Sequence, residues 1–214
     1  MKKFESIYIP DLEEYIQDTF TNRPSPLFLE VEKHAIKTRV PILTPATGEV
    51  LQYIIAQEKP NSILELGTGI GYSILWMLST KLPMKIISWE RNKTCIQDAS
   101  LFIESFIQKD QTVILENLHI LDSVKNKSSF QEFDFVFVDC DKICYPELLS
   151  LLSLKMKPGS VLVFDNVLWH GRLQKELHTR PSDHSIQTFW DKVLTDFYNR
   201  TLFPVGDGLL LLRI

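Results

Sequence analysis

Sulfur is scarce in this chain, and so is any excess of positive charge. Its three cysteines, Cys95, Cys140 and Cys144, are odd in number and form no CxxC pair. That argues against a disulfide framework and for a reducing compartment. No stretch approaches the roughly 20 apolar residues that a membrane-spanning helix needs. The opening MKKFESIYIPDLEEY carries acids and lacks the apolar centre of a secretion signal. Twenty-three Lys and Arg against 27 Asp and Glu leave a net charge of −4. The general basic footprint of a nucleic-acid binder is therefore missing, although a local patch is compatible with that balance. No repeat, low-complexity tract or linker divides the chain. Together these absences lead us to expect a cytoplasmic domain with no membrane association, long enough at 214 residues for one large core.

What is present is a regular alternation. Segments 11–20, 27–38 and 47–58 read as helices, broken at NRPSP (22–26) and joined by an extended entry, VPILTP (40–45). Short apolar runs follow: SILEL (62–66), KIISWE (85–90), TVILE (112–116), FDFVFVD (133–139) and SVLVFD (160–165). Helical segments at GYSILWMLS, 92–109 and 146–155 separate them, and another helix is expected around 185–199. The closing FPVGDGLLLLRI reads as a hairpin turning at Gly206-Asp207-Gly208. Continuous apolar strands between helices imply a parallel sheet covered on both faces. The expected fold is thus α/β, a doubly wound, mostly parallel sheet closed by an antiparallel hairpin.

Ligands of open parallel sheets bind beyond the carboxyl ends of the strands, and polar residues recur there. The first strand runs into Glu65-Leu66-Gly67-Thr68-Gly69-Ile70-Gly71, the second ends in Glu90, and later ones end in Asp139 and in Asp165-Asn166. Each acid alone could cap a helix; four strand ends doing so together point to a ligand. The glycines allow close backbone approach, but Glu65 beside them would repel a pyrophosphate and suit a cationic amine. S-adenosylmethionine carries one. Glu90 is placed to accept from ribose hydroxyls, in that cofactor or in a nicotinamide. Asp139, Asp165 and Asn166 offer three side-chain oxygens from neighbouring strand ends, a hard-cation set for which Mg²⁺ is the first candidate. Lys142, three residues past Asp139, reaches the same place as a candidate base, or is a solvated helix-start residue. Trp169 is either an acceptor wall or simple packing. Cys140 and Cys144 read as packing residues, and His170, His178 and His184 show no ligand spacing.

The stretches ILELGTGIGYS, ISWER, FDFVFVDCDKICY, FDNVLWHG and FPVGDGL together resemble the catechol and caffeoyl-CoA type of cation-dependent O-methyltransferases, in that family's order and over about residues 40–214. The resemblance implies the seven-stranded class I methyltransferase fold in a single domain, 1–214, with residues 1–40 as a helical extension that covers the site or builds a homodimer. It implies S-adenosylmethionine on the 65–73 loop, contacted at Glu65, Gly67, Gly71, Ser73 and Asp139, with Glu90 on the ribose and Leu43 at the methionine end. Asn117, Leu118 and His119 would lie near the adenine, although ENLHIL departs from the small residues usual there. A divalent cation on Asp139, Asp165 and Asn166 and a deprotonating Lys142 complete the implied site.

The acceptor is expected to be a catechol-like small molecule with two adjacent oxygens. The N-terminal half, through NRP at 22–24, LEVEKHAIKT, VPIL, EVLQ and ILELGTGIGYS, also resembles the bacterial tRNA hydroxyuridine O-methyltransferase branch, which makes tRNA the alternative. Against tRNA, LHTRPSDHSIQ (177–187) has only Arg180 with a compensating Asp183. A nicotinamide oxidoreductase would leave the Asp139, Asp165 and Asn166 set unexplained.

Overall fold

The computed structural model describes residues 12–173 and 179–214. His178, with part of the 177–187 stretch, lies outside the described residues, as do residues 1–11. Eight helices and seven strands follow one another among the described residues: α1 (Leu12–Thr19), α2 (Pro26–Thr38), α3 (Pro45–Glu58), β1 (Ser62–Leu66), α4 (Tyr72–Leu78), β2 (Met84–Glu90), α5 (Lys93–Glu104), β3 (Gln111–Asn117), α6 (Ile120–Asn126), β4 (Phe135–Val138), α7 (Tyr145–Lys155), β5 (Val161–Phe164), α8 (Pro181–Asp196), β6 (Arg200–Phe203) and β7 (Leu209–Arg213). Helix starts follow local chemistry. The Ser25 hydroxyl accepts from the Leu27 amide and the Thr44 hydroxyl from the Thr47 amide, each with proline in the first helical turn.

The sheet order is β3-β2-β1-β4-β5-β7-β6. β1 pairs in parallel with β2 and β4, β2 with β3, and β4 with β5; β7 runs antiparallel to both β5 and β6. This is a class I methyltransferase fold, with the expected terminal hairpin forming the last two strands. The central strands β4 and β5 are buried at every position, and alternation sends neighbouring side chains into opposite layers. Ile63, Ile86, Phe135, Phe137, Val161 and Val163 join α2, α3 and α4 in one core. Leu64, Val136, Val138, Leu162 and Phe164 join α7 and α8 in the other.

Two expectations change. The helix expected over 92–109 stops at Glu104, which lets Phe106 and Ile107 fold back against the first core. α6 was not expected at all: it spans seven residues and buries only Val124, so it lacks a readable apolar stripe.

One polar knot lies inside the first layer. Glu65 is fully buried and accepts from the hydroxyls of Ser73 and Ser88, and Thr68 Oγ1 lies 2.6 Å from Ser88 Oγ. Burial pushes the Glu65 carboxyl up to about 7, against the opposing pull of the two serine hydroxyls. A raised folded-state value means that Glu65 stabilises the fold most below pH 4.5 and loses that contribution as pH rises through about 7. Over that span the loss is on the order of 3 kcal/mol. In urea melts between pH 5 and pH 8, Glu65→Gln should show a flatter decline in stability than the parent protein. Separately, a Cβ on Gly48 would collide with the buried Trp76 indole. Gly48→Ala should therefore lower unfolding free energy by about 1–3 kcal/mol through overpacking, read by the same melts.

Candidate active site

The carboxyl ends of β1, β2, β4 and β5 open into one cleft of about 1220 Å³. Its floor is set by Gly67. That residue has φ +110°, and a Cβ there would collide with the carbonyl oxygen of Asp139. The Gly67 amide donates to Trp89 O (3.0 Å), and the Asp139 amide to Leu66 O (2.9 Å). The glycine loop is thereby pressed against the end of β4. Gly71, with φ +82°, faces Ala99 and Ile103 of α5 at 3.1 Å from a hypothetical Cβ. Glu90 accepts from the amides of Gly69 (3.2 Å) and Asn92 (2.8 Å), so its carboxylate ties the loop to the end of β2. Gly67, Ser73, Glu90, His119 and Leu43 all line the cleft.

Glu65 does not. Its oxygens are taken by Ser73 and Ser88 beneath the loop, because alternation along β1 turns it into the same layer as Ile63. Here the acid orients Ser73, and Ser73 faces the cleft. Leu118 turns its side chain away from the cleft. It packs against the second core while His119, its neighbour in extended backbone, lines the cleft. Asn117 donates its amide to the carbonyls of Glu90 (2.8 Å) and Arg91 (2.9 Å), fixing the rim.

The acid cluster stands at the adjacent ends of β4 and β5, where Val138 pairs with Phe164. Lys142 is 8 % exposed, and its Nζ donates to Asp139 Oδ1 (2.8 Å) and to Tyr145 Oη (2.9 Å). The Tyr145 hydroxyl lies 2.8 Å from the Asp165 carbonyl. Asp165 is 1 % exposed, and its Oδ1 is buried without a hydrogen-bond partner. Burial first, and then repulsion from Asp139, push its carboxyl up to about 7. Asn166 follows with φ +55°, a left-handed conformation that asparagine tolerates. Two carboxylates and one amide thus face the cleft together; among the described residues, no group of three or more His, Cys, Asp or Glu side chains is arranged to hold a metal. Asp141 is a local cap, accepting from the Ile143 amide (3.2 Å). Burial raises the Cys140 and Cys144 thiols above their ordinary range, which keeps them protonated and unlike metal ligands.

Leu168, Trp169 and Leu173 add an apolar stretch to the cleft wall. Trp76 and Trp89, by contrast, are core residues. Sequence reasoning missed Asp207, which also lines the cleft, accepts from the His170 amide (2.5 Å) and lies 3.3 Å from His170 Nδ1. The GDG turn was a visible signal, but its partner lies 37 residues away. The N-terminal helices reach the cleft through Tyr72, whose hydroxyl donates to Glu32 (2.5 Å) while Arg23 grips the same carboxylate at 2.9 and 3.1 Å.

Comparison with known proteins agrees with this geometry. A family model described as O-methyltransferase matches residues 21–214. A catechol O-methyltransferase of Niastella koreensis is 27 % identical over 192 residues, covering 87 % of this chain and 83 % of that protein. A caffeoyl-CoA O-methyltransferase of Populus kitakamiensis is 28 % identical over 185 residues, covering 78 % and 75 %. Among solved structures, an O-methyltransferase from Bacillus cereus in complex with SAH superposes with a TM-score of 0.76 at 22 % identity, covering 94 % of this chain and 96 % of that one. The O-methyltransferase TomG of Streptomyces achromogenes, in complex with SAM, gives 0.73 at 20 %, covering 95 % and 96 %. The nicotinamide reading falls with these matches, and the chain belongs to the O-methyltransferase family.

Proposed function

We propose that this enzyme transfers the methyl group of S-adenosylmethionine to one oxygen of a catechol-like small molecule, with a divalent cation as helper. The observation that carries the reading is the buried, partnerless Oδ1 of Asp165 beside Asp139, Asn166 and the Lys142 amine. Two carboxylates this close, one of them largely desolvated, repel each other, and a hard cation would relieve both faults at once. Asp139, Asp165 and Asn166 would hold it, leaving its other positions to water or acceptor oxygens. Bound there, it would supply positive charge that makes an acceptor hydroxyl more acidic.

The methyl donor fits the glycine loop. Close backbone approach at Gly67 and Gly69 leaves room for the amino-acid tail, Ser73 offers a hydroxyl steadied by Glu65, and Glu90 retains lone pairs for ribose hydroxyls. Lys142, held between Asp139 and Tyr145, would act from its neutral amine form, whose lone pair takes the acceptor's hydroxyl proton. The resulting oxyanion attacks the methyl carbon in line with the sulfonium, so that the C–O bond forms as the C–S bond breaks and S-adenosylhomocysteine leaves. The protein forms no covalent bond to either substrate, and its contribution is positioning and electrostatics. The matched relatives named for catechol and caffeoyl-CoA support a small-molecule acceptor.

Labelled methyl should pass from S-adenosylmethionine into catechol with Mg²⁺ present and should stop on addition of EDTA. Transfer that resists EDTA would remove the cation from the account. Lys142→Ala should lower kcat about a hundredfold or more, the usual size of a lost acid–base group, while calorimetric affinity for S-adenosylhomocysteine stays within twofold. An unchanged kcat would exclude Lys142 as the base.

A further inference from the structure

Asp183 sits in the first turn of α8, 1 % exposed, just outside the cleft. It accepts hydrogen bonds from the amides of Thr179 (2.7 Å) and Arg180 (2.8 Å), which is ordinary helix-start chemistry. It also accepts from Arg172 Nε (3.1 Å) and Nη2 (2.8 Å), and from the indole Nε1 of Trp169 (2.7 Å). A cap needs none of these last three. The Arg172 guanidinium, and then the other donors, hold the carboxyl well below the usual range, so the indole bond is charge-assisted. Trp169 needs such an anchor. Its φ is +50° and that of His170 is +53°, a left-handed pair that bulky residues adopt only when their surroundings impose it. From the other side, Asp207 holds the same turn through the amides of Leu168 (2.8 Å) and His170 (2.5 Å). α8 is itself a firm platform, buried through Ile186, Phe189 and Val193.

We propose that Asp183 is a positioning residue that sets the Trp169 indole as the flat wall of the acceptor site, selecting planar aromatic acceptors without touching them. This rests on the acceptor reading of the apolar stretch of the cleft wall. Capping α8 requires no bond to the indole, whereas an acceptor at this point fixes the rotation of the Trp169 ring.

The indole N–H of Trp169, assigned in ¹H–¹⁵N spectra by its loss in Trp169→Phe, reports the contact directly. Asp183→Ala should shift that resonance and speed its exchange with solvent. It should also weaken catechol binding about tenfold, measured with S-adenosylhomocysteine and Mg²⁺ present, and leave affinity for S-adenosylhomocysteine unchanged. Asp183→Asn, which keeps an oxygen but not the charge, should fall between and carries the test if the alanine variant does not fold. Trp169→Phe should weaken catechol comparably, and the double variant should be no worse than either single one. Catechol binding within twofold of the parent in a folded variant, or additive losses in the double variant, would overturn the proposal. So would a parent protein that binds no catechol. A parent that binds catechol but transfers no methyl would refute the proposed chemistry and leave the wall in place.

Discussion

The rest of the site depends on one close approach, that of the Gly67 backbone to the carbonyl of Asp139. Any side chain at position 67 would collide with that oxygen. Its absence lets the loop after β1 lie directly on the end of β4, where the Asp139 amide donates to Leu66, while the Gly67 amide ties the same loop to Trp89 of β2. The loop that would take the methyl donor and the acid cluster that would orient the acceptor therefore share one crevice. Parallel pairing does the remainder, since register between β4 and β5 brings Asp139 and Asp165 to the same level. In-line transfer between two bound molecules asks for such fixed adjacency more than for any reactive protein group.

Charge distribution in the cleft follows from the same geometry. Glu65 and Asp165 are both buried acids pushed up to about 7, yet they differ in what satisfies them. Glu65 has two serine hydroxyls and steadies a loop. Asp165 keeps an oxygen with no partner, which makes it the one of the two poised for something from outside the chain.

Much of this is legible in the sequence. Apolar runs at 62–66, 133–139 and 160–165 announce buried parallel strands, and the acids that end them mark the crevice, because a charged residue at the end of such a run sits at the sheet's edge. Facing was harder to read. Alternation along the chain turns the Glu65 side chain into the layer beneath the loop and the Leu118 side chain into the opposite core, which the sequence does not show. A strand buried on both faces has no polar side to betray its phase. The ties that hold the Trp169–His170 turn were not legible either. Asp183 reaches back 14 residues to Trp169, and Asp207 reaches 37 to His170. Such separations have no local periodicity, and an aspartate three residues into a helix already has a sufficient local explanation. α6 escaped notice for the opposite reason, being too short and too polar to show a stripe.

A cation and the methyl donor should meet at the ends of β4 and β1. Crystals grown with S-adenosylhomocysteine and Mn²⁺ test it directly through anomalous scattering. A single strong peak within coordination distance of Asp139, Asp165 and Asn166, next to cofactor density on the Gly67 loop, is the predicted result. Cofactor bound on the loop with no anomalous peak at those three residues, or with the peak elsewhere, would contradict the account.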